Sequence, residues 1–145
     1  MQGALGRLKL EFAGKIEFQA RDFPLRPLTF RAAEAVRCAG DQGKGEEMRG
    51  MVFSGQPAWA TSPSPDSVWT GYARGLNLDP EKWGSCVRSE RHRSAIEADH
   101  ELGVRMGVSA TPTIFIGGRK IDGAVPFETL AEAVRAGLQG APAGR

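Results

Sequence analysis

The 145-residue chain is poor in cysteine, has no long apolar run, and carries almost balanced charge. No stretch approaches the roughly 20 apolar residues that span a bilayer, so we expect no membrane span. A net charge of +2 provides no basic surface for nucleic acid or an anionic membrane. The two cysteines, Cys38 and Cys86, are too far apart for a zinc motif or a Cys-x-x-Cys redox motif. They fit either one structural disulfide or two unrelated buried thiols.

The sequence also lacks the motifs of common cofactor and catalytic sites. It contains no Gly-rich phosphate loop, no Ser-His-Asp order and no paired carboxylates at catalytic spacing, so we expect no cofactor. His92 and His100 are two helical turns apart, which is roughly 12 Å along a helix. This separation is too long for both to bind one metal ion, and we interpret them as surface histidines without a metal site. The pattern Asp99-His100-Glu101 similarly indicates a solvated helix face.

Local sequence patterns predict a chain of helices with a few short strands. Apolar periodicity, with start and stop signals, predicts helices over residues 2–13, 29–39, 46–53, 65–75, 80–87, 90–106 and 126–138. Alternation predicts a strand over residues 16–20, and residues 54–65 have the composition of a loop. The apolar run Thr113-Ile114-Phe115-Ile116 is typical of a strand covered on both faces. Gly117-Gly118 predicts a hairpin turn to a return strand over residues 119–122. This order indicates a mixed sheet with helices on its faces.

A proline-containing motif near the C-terminus resembles a known family. Residues 104–130 contain GV-x-x-TPT-x-F-I-x-G, followed by G-A-x-P-F-E-x-L. These residues resemble the end of the thioredoxin fold, and specifically that of the DsbA-like thiol–disulfide oxidoreductases. Residues 14–25 resemble the second strand of that family and the loop after it, and residues 31–44 resemble the start of its inserted helical domain. The resemblance covers nearly the whole chain.

The resemblance implies an α/β fold with a thioredoxin-like mixed sheet, an inserted helical domain and a missing first strand. Residues 1–27 and 104–139 would form the incomplete thioredoxin-like core. Residues 28–103 would form the inserted helical domain and connecting helix, and residues 140–145 a frayed tail. The resemblance also implies a cis peptide bond at Thr111-Pro112. Because some relatives have a structural disulfide at similar places, it favours a Cys38–Cys86 bridge over two free thiols.

The resemblance also shows which family residues this sequence lacks. The family's chemistry depends on a Cys-x-x-Cys at the N-terminus of its first helix, where the pKa of the attacking thiol is lowered. That motif is absent here, and neither Cys38 nor Cys86 replaces it by position. We therefore assign no catalytic residue. Only Thr111 and Pro112 carry over, as a substrate-binding loop whose backbone pairs with an extended peptide or unfolded protein segment.

Two functions are compatible with these observations. The first is an N-terminally truncated DsbA-like protein thiol–disulfide oxidoreductase, inactive as given. The alternative is a non-enzymatic thioredoxin-fold module that binds a peptide or a partner chain. Without the first strand the sheet has an exposed edge, which attracts another chain, so we expect a homodimer through that edge or poor solubility. The N-terminus has no apolar segment typical of a signal peptide, whereas relatives mostly work outside the cytoplasm, so the compartment stays open.

Overall fold

A computed structural model describes residues 2–140. The described residues form eight helices and two strands, which are α1 (Gln2–Glu11), α2 (Pro27–Gly40), α3 (Gly45–Ser54), α4 (Gln56–Ala60), α5 (Pro65–Gly75), α6 (Pro80–Arg88), α7 (Arg93–Arg105), β1 (Thr113–Ile116), β2 (Arg119–Asp122) and α8 (Phe127–Gly140). None of these helices is long and apolar enough to cross a membrane. The described chain divides into two compact units, residues 2–20 with 104–140, and residues 21–103.

The first unit contains a β-hairpin packed with two helices. Strands β1 and β2 are antiparallel, with Ile114 opposite Ile121. Gly117 and Gly118 both have positive φ, 55° and 83°, as a two-residue primed turn requires. The apolar faces of α1 and α8 contribute most of the core, whose buried residues are Leu8, Phe12, Ile121, Phe127, Leu130, Ala131, Ala133 and Val134. The predicted helix and hairpin patterns at the two ends of the chain therefore form one core.

The second unit is a helical cluster around three tryptophans and the two cysteines. Two of the buried indoles donate hydrogen bonds to backbone carbonyls. Trp59 Nε1 donates to Val52 O at 2.7 Å, and Trp83 Nε1 donates to Ala35 O at 3.1 Å. Four of its helices have proline in the first turn, where the missing N–H costs no helical hydrogen bond. At α6, the Asp79 carboxylate also accepts from Lys82 N at 3.0 Å, which confirms the predicted start signal.

Three local predictions were wrong. Residues 16–20 are not a strand. The alternation of apolar and polar residues creates an apolar face. However, no strand in the described part of the chain pairs with this segment to complete its backbone hydrogen bonds. The predicted loop over 54–65 contains α4. Helix α2 begins at Pro27 rather than at the predicted residue 29, since Pro27 suits the first helical position and Thr29 Oγ1 accepts from Arg26 N.

The sheet is accordingly smaller than the predicted mixed sheet. Over residues 2–140 it has two strands, and the chain is mostly helical. Strand β1 is covered less than predicted, because Phe115 is 37% exposed while its neighbours Ile114 and Ile116 pack against the core. Of the predicted frayed tail, Gly140 ends α8, and residues 141–145 lie outside the described residues.

Candidate functional site

The Thr111-Pro112 peptide bond is cis and leads into β1. Backbone and side-chain hydrogen bonds hold this loop against the hairpin. Gly123 N donates to Pro112 O at 2.8 Å, and the Thr113 hydroxyl lies 2.8 Å from Ala110 O. Thr111 itself is exposed and Pro112 is half-buried. The loop therefore presents Thr111 at the surface while the residues on both sides of it are anchored.

Strand β1 has a free edge beside this loop. Among the residues that the structure describes, it pairs with β2 only. We call the side of β1 that faces away from β2 the open edge. The two strands differ in charge, because β1 is uncharged whereas β2 carries Arg119, Lys120 and Asp122. Charged side chains on an edge strand discourage pairing with another chain, so β1 is the more receptive of the two strands.

The first unit also exposes many large apolar side chains for its size. These side chains are Leu10, Phe18, Val104, Met106, Phe115 and Leu138. The larger second unit exposes only Leu25 and Phe53 among its large hydrophobic residues, all of which are described. The unit that contains the open edge therefore exposes more large apolar side chains than the larger unit does.

The second unit contains the disulfide. Cys38 on α2 and Cys86 on α6 are bonded, with Sγ atoms 2.04 Å apart and Cα atoms 5.8 Å apart. Both residues are buried within the helical core. The bridge therefore ties the first helix of this unit to α6 across a sequence separation of 48 residues.

Polar groups surround the disulfide on one side. Asp41 Oδ2 lies 2.9 Å from His92 Nε2, 3.2 Å from Arg91 Nη1 and 3.5 Å from Cys86 Sγ. Asp41, Arg91 and both cysteines line a surface cavity of about 490 Å³. Near the Cys38 sulfur, buried Glu34 accepts from His92 N at 2.8 Å, and the same oxygen, Oε1, lies 3.6 Å from Cys38 Sγ.

The predicted solvated face around Asp99 was wrong. Asp99 is buried and accepts from Arg37 Nη2 at 2.6 Å, from Arg21 Nη1 at 3.0 Å and from Asp22 N at 3.1 Å. These donors satisfy the carboxylate, so its burial is tolerated. His92 and His100 are half-buried rather than on the surface, and the His100 ring stacks on Phe23 with 4.7 Å between ring centroids. The charge cluster around Asp99 thus links segments of the second unit.

Two exposed groups on the helical surface have shifted pKa values. A hydrogen bond from its own backbone to the Glu47 carboxylate, and a second one from the Lys44 side chain, lower the pKa of Glu47. The hydrogen bond to Glu97 raises the pKa of Arg93. Both effects favour the charged forms of groups in the first turns of α3 and α7, and neither group belongs to the loop or to the surroundings of the disulfide.

Comparison with known proteins identifies the family. The model of the thioredoxin family matches residues 2–136. The chain belongs to the DsbA-like thioredoxin family. This thioredoxin-family membership confirms the resemblance carried by the Thr-Pro motif. No solved structure matches the chain significantly.

The chain is also similar to parts of much longer curated proteins. It is 31% identical over 128 residues to Na(+)/H(+) antiporter NhaA 1 of Salinispora arenicola, covering 86% of this chain and 19% of the antiporter. It is 28% identical over 138 residues to Na(+)/H(+) antiporter NhaA of Herminiimonas arsenicoxydans, covering 95% of this chain and 21% of the antiporter. The match to NhaA 1 of Mycolicibacterium gilvum is 29% over 143 residues, covering 93% and 22%. The chain spans about a fifth of the length of these relatives.

Proposed function

We propose that this thioredoxin-family domain binds an extended polypeptide segment along the open edge of β1, beside the Thr111-Pro112 loop. The observation that carries the proposal is that β1 pairs on one side only within residues 2–140. An extended peptide added to a strand edge gains main-chain hydrogen bonds, and pockets for alternate side chains supply specificity. Because β1 itself is uncharged, no charge on this strand opposes pairing with another chain.

The pattern of burial along β1 defines the chemistry of the peptide. Ile114 and Ile116 pack against the core of the first unit, whereas Phe115 points to the other face and is partly exposed. Side chains of a neighbouring strand alternate in the same way between the two faces. The best ligand is therefore a segment with apolar residues at alternate positions, one of which packs beside Phe115.

The cysteines support binding rather than catalysis in this sequence. Dithiol chemistry in the family requires a thiolate at a helix N-terminus, usually in Cys-x-x-Cys. The sequence contains two cysteines, and both are used in the Cys38–Cys86 bridge of the second unit. The chain as given should therefore bind a polypeptide without exchanging disulfides with it.

A labelled peptide tests this proposal. A fluorescein-labelled heptapeptide of alternating valine and threonine should bind, and amide NMR shifts should change along Thr113–Ile116. Phe115→Lys places a charge on β1 and should weaken binding at least about 10-fold, which corresponds to about 1.4 kcal/mol. Leu138→Lys is the matched control, because it adds the same charge at another exposed apolar position of the same unit.

Three outcomes would contradict the proposal. These are equal loss of binding in both variants, shifts confined to the helices, or no binding at millimolar peptide. Concentration-dependent dimerisation that the peptide does not disturb would identify a second copy of the chain as the occupant of the edge.

A second candidate is a DsbA-like protein thiol–disulfide oxidoreductase whose catalytic cysteines lie outside this sequence. Family membership across residues 2–136 favours it. The chain as given should then fail to catalyse reduction of insulin by dithiothreitol, because it lacks the dithiol. Turnover that persists after Cys38→Ser and Cys86→Ser substitution would show that another group in this chain carries the chemistry.

A further inference from the structure

We propose that the second unit contains a redox-controlled zinc site, in which Cys38, Cys86 and His92 bind one Zn²⁺ when the disulfide is reduced. The fold places one sulfur from each cysteine and one His92 ring nitrogen within 4.8 Å of one another. Two thiolates and an imidazole are a common donor set for zinc. The sequence does not predict this group of ligands, because Cys38 and Cys86 are 48 residues apart. They come together through the packing of α2 against α6.

Asp41 supplies an oxygen for the fourth position. In a tetrahedral site with Zn–S of about 2.3 Å and Zn–O of about 2.0–2.2 Å, oxygen and sulfur ligands stand about 3.5 Å apart. Asp41 Oδ2 lies 3.5 Å from Cys86 Sγ and 2.9 Å from His92 Nε2. The carboxylate therefore already contacts two of the three proposed ligands. The cavity lined by Asp41 and both cysteines gives an ion access to them.

A second observation concerns Glu34, a buried carboxylate beside the disulfide. Glu34 is buried, and none of the described residues donates a hydrogen bond to its Oε2. Its other oxygen lies 3.6 Å from Cys38 Sγ. A buried carboxylate oxygen without a partner is costly, and a dication held between the two sulfurs would offset that cost. The competing cation, Arg91, has a 57% exposed side chain and can leave Asp41 without being buried elsewhere.

The redox step controls the site because thiolates bind zinc and a disulfide does not. A dithiol reductant attacks one sulfur of the bridge to give a mixed disulfide, and its second thiol then releases both cysteines. Two electrons pass to Cys38 and Cys86, and the reductant becomes a disulfide. Zinc binding then displaces the protons of the two thiols into solvent. Reoxidation by another disulfide reverses the electron transfer and expels Zn²⁺.

The test uses the whole chain in its oxidised and reduced states. Reduced protein, freed of dithiothreitol without oxygen, is titrated with Co²⁺ and then with Zn²⁺ against a chromophoric chelator. We expect one Co²⁺ per chain, with the thiolate charge-transfer and d–d absorption of a tetrahedral site, and displacement by Zn²⁺. Oxidised protein should bind at least about 1000-fold more weakly, since it offers no thiolate. Adding oxidised glutathione to the zinc form should release one Zn²⁺ for each disulfide formed.

Matched histidine variants identify the ligand set. His92→Gln should weaken zinc binding by at least about 10-fold, a loss of about 1.4 kcal/mol. His100→Gln should leave zinc affinity unchanged, because His100 lies against Phe23. Near-ultraviolet circular dichroism checks folding, and thermal melting provides a second measurement. Zn²⁺ should raise the melting temperatures of reduced wild type and reduced His100→Gln. The increase should be much smaller for reduced His92→Gln.

The proposal is overturned if reduced protein binds no Co²⁺ or Zn²⁺, or if the oxidised protein binds as tightly. Equal affinity in His92→Gln and wild type would also overturn it. If reduced protein without metal is unfolded, zinc-induced folding supports the site and failure of zinc to fold it counts against the site.

Discussion

Removing the disulfide should strongly destabilise the second unit. The bridge closes a loop with a sequence separation of 48 residues. Cross-linking a chain over this length lowers the entropy of the unfolded state, which the loop-closure relation converts to about 4 kcal/mol at 25 °C. We therefore expect Cys38→Ala combined with Cys86→Ala to lower the free energy of unfolding of residues 21–103 by about 4 kcal/mol. Alanine is preferred to serine because it leaves no buried hydroxyl without a partner.

Tryptophan fluorescence makes this unit visible on its own. Trp59, Trp69 and Trp83 all lie in its core and are the three tryptophans of the chain. Urea unfolding followed by fluorescence therefore reports this core. With an m-value of about 1–2 kcal/mol/M, the unfolding midpoint should fall by about 2–4 M. A chelator in the buffer keeps bound metal from contributing to the stability of the reduced samples.

The controls separate loss of the cross-link from loss of packing. Reduced wild type should unfold near the double variant, because both lack the bond and their cores differ only by the two Sγ atoms. A decrease below about 1 kcal/mol with an unchanged m-value would refute the loop-entropy reasoning. A large decrease in the double variant with no change on reduction of wild type would assign the effect to packing.

Two further predictions concern glycine packing and buried charge in the second unit. Gly103→Ala should destabilise by about 1–3 kcal/mol, because its Cβ would lie 2.6 Å from the ring of Phe23. Gly84→Ala should instead be neutral or stabilise by up to about 1 kcal/mol, since its Cβ meets only the mobile end of an arginine; equal urea midpoints for the two variants would contradict this. Asp99→Asn should cost about 2–3 kcal/mol in thermal or urea unfolding, because the buried carboxylate that accepts from Arg37, Arg21 and the Asp22 amide loses its charge and one of its two acceptor oxygens. Glu97→Gln, on the exposed face of the same helix, should change stability by less than about 0.5 kcal/mol, and a similar loss in both variants would argue against a special role of Asp99.

Features encoded by adjacent residues were predictable from the sequence. The pair Gly117-Gly118 specifies the hairpin turn through backbone conformation alone, and β1 and β2 occupy the predicted positions. Pro65 and Pro80 mark helix starts for the same reason, since proline suits the first turn. The Thr-Pro motif before β1 led to the family, because several residues at fixed spacing carry more information than composition does.

Features that depend on distant partners were not predictable in this way. Residues 16–20 alternate like a strand, yet a strand exists only where a neighbour completes its hydrogen bonds. Asp99 sits in a polar run on α7, and its burial depends on Arg37, 62 residues earlier in the sequence. The grouping of the two cysteines with His92 likewise arises from helix packing. Local periodicity in the sequence does not predict which distant charges or ligands the fold brings together.

The first unit is assembled from two segments that are far apart in the sequence, and this sets the order in which it can fold during synthesis. Leu8 on α1 and Phe12 just after it belong to the same buried core as residues of α8, and Glu11 accepts a hydrogen bond from Arg135, 124 residues later. At about 5–20 residues per second, a ribosome needs roughly 6–25 seconds to make the intervening chain. The second unit is continuous in sequence and can fold within that interval. The apolar face of α1 must stay uncovered until α8 emerges, so α1 is exposed to aggregation or to capture by a chaperone during that interval.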